Sequence, residues 1–346
     1  MSNEISQVWP SDKRALTEID ALLEQEGISR DANLDYICAL YDEDERIIAT
    51  GSCFGNTLRC FAVSHEHQGE GMLNQVITHL MEVQFARGNT HVFLYTKYGS
   101  AKFFGDLGFY EIARVENTLV FMENRRNGFA KTLAALEKTK TGGKSAALVM
   151  NANPFTLGHQ YLVETAAAAC DTLHLFIVSE DASLVPFAVR KRLVQQETAH
   201  LPNVIYHDSG PYIISNATFP SYFLKDSAAV IEGHARLDLT LFIKIARTLG
   251  VTSRYVGEEP TSQVTGLYNQ IMQQELPKAG IDCVVIPRKA AQGVPISAST
   301  VRQCLQKGDW AGLRTLVPQS TYNYFKSDEA QPVLARIRAA SEIAHY

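Results

Sequence analysis

Two short groups of polar residues in the second half of the chain could together hold a nucleotide phosphate. Thr156, Gly158 and His159 follow a short apolar run and precede a small-residue helical pattern, so they lie where a strand, a loop and a helix N-terminus meet. The first N–H groups of a helix lack intrahelical partners and carry the positive end of its dipole. We therefore expect an anion here, with Thr156 and His159 as hydrogen-bond donors and Gly158 leaving room for phosphate to approach the backbone.

The second group lies far downstream at another predicted helix start. Ser297, Ser299 and Arg302 place two hydroxyls and a guanidinium there. Preorganised donors of this kind stabilise the charge that grows on phosphate oxygens during phosphoryl or nucleotidyl transfer. Both groups therefore favour a nucleotide site.

The two groups match two motifs of one superfamily. Thr-x-Gly-His at 156–159 resembles the His/Thr-x-Gly-His signature of the nucleotidyltransferase superfamily, and residues 296–302 resemble its Ile-Ser-x-Ser/Thr-x-x-Arg motif. This resemblance implies a Rossmann-like parallel-sheet domain that binds ATP, in which an acceptor attacks the α-phosphate directly. The implied catalytic residues are His159, Thr156, Ser299 and Arg302, and the implied nucleotide-binding residues are Asn153, Pro154, Phe155, Gly158, Gly257 and Ser297.

Residues 187–194 form a basic segment at a predicted helix start. The segment resembles the Phe-x-x-x-x-Arg-x-x-Leu stretch of pantetheine-phosphate-type adenylyltransferases, which implies that Arg192 faces the nucleotide phosphates. The alternative is a solvated basic helix face, the commoner position of clustered lysine and arginine.

The elements around these motifs predict a parallel sheet. Apolar runs at 146–150 and 171–178 flank a helical pattern at 160–170, and further strand and helix patterns follow. Repeated strand–helix–strand units of this length form parallel sheets with right-handed crossovers. Ligands bind beyond the carboxyl ends of such strands, where residues 151–159 lie. Residues 210–225, rich in aromatics and hydroxyls, are a candidate substrate loop or a buried connector.

The first part of the chain follows a different plan. Predicted strands at 34–41, 46–54 and 58–63 lead into a glycine loop and a helical pattern at 73–86. The loop resembles the Gln/Arg-x-x-Gly-x-Gly/Ala acyl-CoA motif of the GCN5-related N-acetyltransferases, and residues 100–110 resemble another segment of that family.

This second resemblance implies a mixed α/β domain in which Gln68, Gly69 and Gly71 hold a pyrophosphate. Leu73 departs from the motif, because a small residue is expected there. The alternative is that the two glycines only form a tight turn between strand and helix. His65 and His67 flank the loop without nearby ligands at metal-site spacing, so we expect no metal site.

Length and composition exclude several classes of protein. A chain of 346 residues predicts two domains, which we place at 1–138 and 145–346, the second ending in a helical cap. With a net charge of -5 at pH 7, we expect neither nucleic acid nor a membrane surface as partner. The absence of a long apolar run and of paired cysteines indicates a cytoplasmic protein with free thiols.

Over nearly its full length the chain resembles the citrate lyase ligase family, most specifically at 210–225, 254–260, 268–277 and 286–289. The resemblance implies a cytoplasmic ligase that uses ATP and Mg²⁺ to convert acetate to acetyl-adenylate. The thiol of the dephospho-CoA-derived arm on the citrate lyase acyl carrier subunit would then accept the acetyl group, with release of AMP and diphosphate. We expect the loop at 68–73 to bind that arm.

Two other functions stay open at this point. A nucleotidyltransferase would transfer AMP to a phosphorylated small molecule, such as pantetheine phosphate or nicotinamide mononucleotide, and form a stable dinucleotide. A regulatory protein would only sense acyl-CoA and ATP. Both nucleotidyltransferase motifs are present, which argues against a sensor, because a sensor needs affinity but not transition-state donors.

Overall fold

A computed structural model describes residues 4–180, 183–214, 219, 227–259, 263–291 and 293–340. The chain forms two compact units. The first comprises residues 1–131 and 218–237, and the second comprises 132–217 and 238–346, as far as these ranges are described. The division differs from the sequence-based one, since 132–138 group with the second unit and 218–237 with the first.

The first unit is built on a mixed sheet. Its strands are Glu4–Gln7 (β1), Tyr36–Tyr41 (β2), Ile47–Phe54 (β3), Thr57–Val63 (β4), Phe93–Lys97 (β5), Tyr110–Val115 (β6) and Leu119–Glu123 (β7). Its helices are Lys13–Gln25 (α1), Met72–Ala86 (α2) and Ala101–Asp106 (α3), and Gly128–Glu137 (α4) leads into the second unit. The strand order is β1-β2-β3-β4-β5-β7-β6.

Strands β4 and β5 are parallel neighbours that separate along their length. Among the described residues they pair at two positions only, Thr57 with Phe93 and Leu58 with Leu94. Beyond these pairs each strand continues toward its carboxyl end, and α2 connects the two. Because the two strands diverge, a space opens between them in the sheet.

Helix α2 packs closely on β3 because of a glycine. A Cβ at Gly51 would lie 2.6 Å from Val76 Cγ1 and 2.9 Å from Leu80 Cδ1, so only glycine allows this approach. Val76 and Leu80 are fully buried with apolar residues of the central strands in the core of this unit. The packing fixes the helix whose N-terminus follows the glycine loop.

The second unit is built on a parallel sheet. Its strands are Ser145–Met150 (β8), Thr172–Ile177 (β9), Val204–Asp208 (β10), Val251–Gly257 (β11) and Asp282–Ile286 (β12), with a small hairpin of Ala290–Ala291 (β13) and Val294–Pro295 (β14). Its helices are Leu157–Ala168 (α5), Phe187–Thr198 (α6), Ser227–Leu249 (α7), Gln263–Glu275 (α8), Ala298–Lys307 (α9), Trp310–Arg314 (α10), Gln319–Lys326 (α11) and Gln331–Ala339 (α12).

The strand order β10-β9-β8-β11-β12, with every pair parallel, confirms the predicted Rossmann-like sheet. The order reverses between β8 and β11, so the loops after these strands leave in opposite directions and open a crevice. One face of the sheet is covered by apolar residues of α5, α6, α9, α11 and α12, which form a continuous core with the strands. The predicted C-terminal helical cap therefore completes this core.

Helix α7 belongs to both units. Residues 227–237 group with the first unit and 238–249 with the second. The helix runs without interruption from Ser227 to Leu249. In the part of the chain that the structure describes, no helix combines the length and apolar character needed to cross a bilayer.

Candidate functional site

A cavity of about 790 Å³ lies at the carboxyl edge of the parallel sheet, where the strand order reverses between β8 and β11. Its walls are the loops after these two strands and the first turns of α5 and α9. The residues predicted from the sequence that line it are Asn153, Thr156, Gly158, His159, Gly257, Ser297, Ser299 and Arg302. The two motifs thus meet at one cavity.

Thr156 and His159 cap helix α5 reciprocally. The Thr156 backbone N–H donates to His159 Nδ1 (3.1 Å), and the His159 backbone N–H donates to Thr156 Oγ1 (3.2 Å). Because Nδ1 accepts a hydrogen bond, a neutral imidazole here carries its proton on Nε2. Thr156 is 1% exposed, and its oxygen is engaged with His159 rather than open to the cavity. Its geometry is that of a residue that orients the ring.

The imidazole of His159 stays neutral near pH 7. Burial lowers the pKa of His159 to about 4, and the charges of Arg288 and Arg302 act in the same direction. The ring of Phe155 stacks on that of His159, with centroids 5.8 Å apart and planes inclined by 19°. His159 is thus held as a neutral Nε2–H donor on the cavity wall.

Arg302 connects the second motif to the first. Its Nη1 donates to the carbonyl oxygen of Asn153 (2.6 Å), and its Nη2 donates to Ser299 Oγ (3.2 Å). The side chain is 2% exposed, and burial lowers the pKa of Arg302 to about 10, so it remains charged at neutral pH. One guanidinium therefore supplies charge to the cavity and fixes the loop after β8.

The backbones of the two motifs lie in close contact at Gly158. A Cβ at this position would lie 3.2 Å from the carbonyl oxygen of Ile296. Ser297, which follows, caps α9 by accepting a hydrogen bond from the Thr300 backbone N–H (3.0 Å). Sequence analysis assigned Gly158 to phosphate approach, whereas the structure gives it a packing role as well.

Pro154 and Phe155 are buried and do not line the cavity, whereas Asn153 is buried and does line it. Asn153 Oδ1 accepts a hydrogen bond from the Val185 backbone N–H (3.0 Å), and Asn153 is joined to Pro154 by a cis peptide bond. These three residues shape the loop that Arg302 holds. Of the three, only Asn153 is placed to reach a nucleotide directly.

The structure does not bring Arg192 to the cavity. Its Nη2 donates to both carboxylate oxygens of Glu329 (2.9 and 2.8 Å) in an exposed ion pair. The neighbouring Arg190 is fully buried instead, and sequence analysis did not single it out. Its guanidinium donates to the carbonyl oxygens of Asn151, Val178, Glu180 and Val185. Arg190 therefore organises the loops after β8 and β9.

Further charged residues line the same cavity. Arg288 and Lys289 follow β12, and both line the cavity. Arg288 Nε donates to the carbonyl oxygen of Glu258 (2.7 Å), and its Nη2 pairs with the carboxylate of Glu259. Lys289 is exposed, with Nζ 5.9 Å from the ring centroid of Tyr161. Lys289 therefore adds positive charge to the cavity wall, whereas the charge of Arg288 is balanced by Glu259.

The first unit has a cavity of its own, of about 580 Å³, between the diverging ends of β4 and β5. Gln68, Gly69 and Gly71 line it. Gly69 and Gly71 have φ values of 88° and 80°, in the left-handed region that favours glycine, and a Cβ at either would meet nothing within 4 Å. The space around the loop is thus open, as binding of a ligand to its backbone requires.

Some predicted segments lie outside the described residues, namely 215–218 and 220–225 of the candidate substrate loop, and Pro260. Within the described ranges, no three side chains of His, Cys, Asp or Glu lie close enough to hold a metal ion together.

Comparison with known proteins places the chain in a family. A sequence model of the citrate lyase ligase C-terminal domain matches residues 145–325. The chain is 39% identical to the citrate (pro-3S)-lyase ligase of Haemophilus influenzae, over 91% of this chain and 96% of that protein. It is also 39% identical to the Escherichia coli K12 enzyme of the same name, over 93% of each chain.

Solved structures similar to this chain include acetyltransferases. A GNAT-family acetyltransferase from Staphylococcus aureus Mu50 is 13% identical, with a TM-score of 0.31 over 36% of this chain and 100% of that chain. The ribosomal-protein-S18-alanine N-acetyltransferase of Escherichia coli is 16% identical, with a TM-score of 0.29 over 35% of this chain and 92% of that chain. The identity and coverage of the ligases above are far higher, and the chain belongs to the citrate lyase ligase family of enzymes.

Proposed function

We propose that this chain uses ATP to activate acetate and transfers the acetyl group to the thiol of the citrate lyase acyl carrier subunit. Its relatives carry the name of a ligase that acts on citrate lyase. The observation that carries the proposal is the neutral Nε2–H donor of His159, which its reciprocal cap holds in a cavity with Arg302. A neutral donor and a fixed cation suit a phosphate that gains charge during reaction.

In the first step, a carboxylate oxygen of acetate attacks the α-phosphorus of ATP. The new P–O bond forms acetyl-adenylate as the bond to the β-phosphate oxygen breaks, and diphosphate leaves with that electron pair. His159 Nε2–H donates to a nonbridging oxygen of the α-phosphate, and Arg302 and Ser299 stabilise the same charge. Arg288 and Lys289 hold the β- and γ-phosphates, while Thr156 keeps His159 in position.

The remaining nucleotide-binding residues act through the backbone and the cavity shape. Gly158, Ser297 and Gly257 give the phosphates access to the helix starts and to the end of β11, and Asn153 lies beside them. Mg²⁺ would enter on the phosphates of ATP and neutralise their charge. Glu258 and Glu259 also line the cavity, but among the described residues no three side chains of His, Cys, Asp or Glu form a metal-binding group, which fits a metal held chiefly by the nucleotide.

In the second step, the carrier thiol loses its proton and its sulfur attacks the carbonyl carbon of acetyl-adenylate. A thioester forms as the bond to the phosphate oxygen breaks, and AMP leaves. We propose that the cavity of the first unit binds the dephospho-CoA-derived arm through the loop of Gln68, Gly69 and Gly71. Beyond two paired positions the described residues of β4 and β5 do not pair with each other, so a pantetheine chain could lie between the strands and hydrogen-bond to backbone groups there.

The decisive experiment on activation is diphosphate exchange. The protein is incubated with ATP, Mg²⁺ and labelled diphosphate, with or without acetate and without any acceptor. Label that enters ATP only when acetate is present supports a reversible acetyl-adenylate. If exchange instead requires a dinucleotide product and does not depend on acetate, the nucleotidyltransferase alternative is established and the ligase is refuted.

The arm site has a separate test at Gly99. This residue lines the first cavity, and a Cβ there meets nothing within 4 Å, so Gly99→Leu fills space without a backbone clash. We expect the KM for the carrier to rise while acetate-dependent exchange stays at its wild-type rate. Gly105→Leu is the matched control, because Gly105 on α3 is equally open and does not line the cavity. An unchanged KM in Gly99→Leu would refute the arm site alone.

A further inference from the structure

Glu26 lies at the end of α1 and contacts both sides of the glycine-loop cavity. Its Oε1 accepts a hydrogen bond from Gln68 Nε2 (3.0 Å), and its backbone carbonyl oxygen accepts one from Lys97 Nζ (2.5 Å). Gln68 Nε2 also lies 3.2 Å from His65 Nδ1. Glu26, Gln68 and Lys97 all line the cavity. One residue therefore holds together the loop, the end of α1 and the carboxyl end of β5.

The carboxylate of Glu26 accepts a hydrogen bond from the side-chain amide of Gln68, and a bound diphosphate would compete for that same donor. The Gln68 amide lies at the start of the loop whose open backbone would hold the phosphates, and Glu26 already accepts its hydrogen bond. A diphosphate that took this donor would have to displace a carboxylate of the same charge sign. Lys97 acts in the opposite sense, because its ammonium adds positive charge to the same cavity.

The rest of the loop adds negative charge. Residues 64–86, which comprise the loop and helix α2, contain Glu66, Glu70 and Glu82 and no lysine or arginine. Glu66 and Glu70 are exposed, beside the open backbone of Gly69 and Gly71. None of these three glutamates lines the cavity, whose carboxylate and ammonium side chains are Glu26 and Lys97. A ligand held at the loop therefore meets repulsion from Glu26, and from Glu66 and Glu70 at longer range, which grows with each negative charge beyond its diphosphate.

We infer that Glu26 is a specificity-determining residue of the first cavity, which admits an arm with one diphosphate and discriminates against an arm with a further phosphate monoester. The inference deepens the proposed arm site and depends on it. The two ligands that the cavity distinguishes are pantetheine diphosphate nucleotides, one without and one with an additional phosphate on the ribose. The discrimination arises from like-charge repulsion and from competition for the Gln68 amide.

The test is a calorimetric titration of the full chain with dephospho-CoA and with CoA. Glu26→Gln removes the charge and keeps the shape and the acceptor oxygen. Glu24→Gln is the matched control, since Glu24 is an exposed residue of α1 that does not line the cavity. Because both ligands contain adenosine, each titration is repeated with Gly99→Leu, and only heat that this variant abolishes is assigned to the first cavity. Circular dichroism melting confirms that all variants fold.

At low salt we expect the wild type to bind dephospho-CoA at least threefold more tightly than CoA. In Glu26→Gln both Kd values should fall, by about three- to tenfold, and the preference should shrink because CoA gains more. Glu24→Gln should match the wild type. If Glu26→Gln binds both ligands like the wild type, or if the wild type prefers CoA, Glu26 does not set specificity and the arm site stands. If neither ligand gives heat at the first cavity in any variant, the arm site itself is refuted, and the inference with it.

Discussion

His159 has two roles, and a pair of amide substitutions isolates one of them. Its Nδ1 accepts the Thr156 N–H and so caps α5, while Nε2–H is the proposed donor to the α-phosphate. In His159→Asn, the side-chain oxygen lies near the position of Nδ1, so the cap is retained and the donor is lost. In His159→Gln, the side-chain oxygen can also accept the Thr156 N–H, because glutamine at this position completes a capping box, and the longer side chain brings an N–H toward the position of Nε2.

The two losses have different magnitudes. Removing one preorganised donor to a developing anion costs about 2.7–4 kcal/mol, or roughly 10²–10³ in rate. Losing a helix cap costs about 1 kcal/mol of stability. His159→Asn should therefore exchange diphosphate roughly 10²–10³ more slowly at an unchanged melting temperature. His159→Gln should also keep its melting temperature and should keep more of the rate.

Acetate-dependent diphosphate exchange, read beside thermal unfolding, tests this separation. Burial lowers the pKa of His159 to about 4, so the wild-type imidazole is neutral throughout pH 6–8 and its protonation should produce no rate change in that range. A His159→Asn protein that folds normally and retains more than a tenth of wild-type exchange would refute the role of Nε2–H. A rate step near pH 6.5 that disappears in this variant would refute the neutral form.

Three further predictions concern the support of the site. Arg190→Met should lower the free energy of unfolding by about 2–4 kcal/mol in denaturant titrations, because buried carbonyls lose their donor, whereas Arg192→Met should stay within about 0.5 kcal/mol and keep full exchange activity; equal effects would contradict the assignment. Gly158→Ala should lose about 1 kcal/mol of stability and slow exchange, since its Cβ meets a backbone carbonyl at 3.2 Å, and wild-type values for both would disprove this close packing. Burial lowers the pKa of His207 to about 4 in the folded chain, and the neighbouring His174 acts in the same direction. In the unfolded chain the pKa of a histidine is about 6.5. The unfolded chain thus binds the proton first, so the melting temperature should fall between pH 6.5 and 4, and a constant value over that window would count against the buried histidine pair.

The parallel sheet and the site at its carboxyl edge could be predicted from the sequence, because both depend on local patterns. The apolar run at 146–150 and the small-residue helical pattern after it are short-range signals, and helix starts with Thr156 and Ser297 as caps have a defined chemistry. These signals lie within a few residues of each other. The cavity then follows from the rule that ligands bind at the reversal of strand order.

To decide which of Arg190 and Arg192 is buried, the sequence had to be read for helical periodicity. Sequence analysis chose Arg192 by resemblance, but the apolar positions Val189, Leu193 and Val194 mark the buried face of α6. Arg190 lies on that face, three and four positions before Leu193 and Val194, and Arg192 does not. Helical periodicity would therefore have indicated that Arg190 is the buried cation, although not which carbonyls it contacts.

Other features depend on contacts that no local pattern contains. Residues 218–237 group with the first unit although they lie far from it along the chain, and the start of α7 at Ser227 carries no clear apolar stripe. The close packing at Gly158 depends on the carbonyl of Ile296 in a distant segment. The contact between Glu26 and Gln68 likewise joins α1 to a loop 42 positions away. Such pairs are set by tertiary packing.

The hydrogen bond from Arg302 to Asn153 spans 149 positions of the chain. A ribosome must therefore synthesise α9 before the loop after β8 can reach its final form, even if the preceding strands have already paired. Closing so long a segment is slow compared with local helix formation, so the cavity between the two motifs should be among the last features to appear during folding. For the same reason, a nascent or truncated chain that ends before residue 302 would retain much of the sheet but would lack the completed cavity.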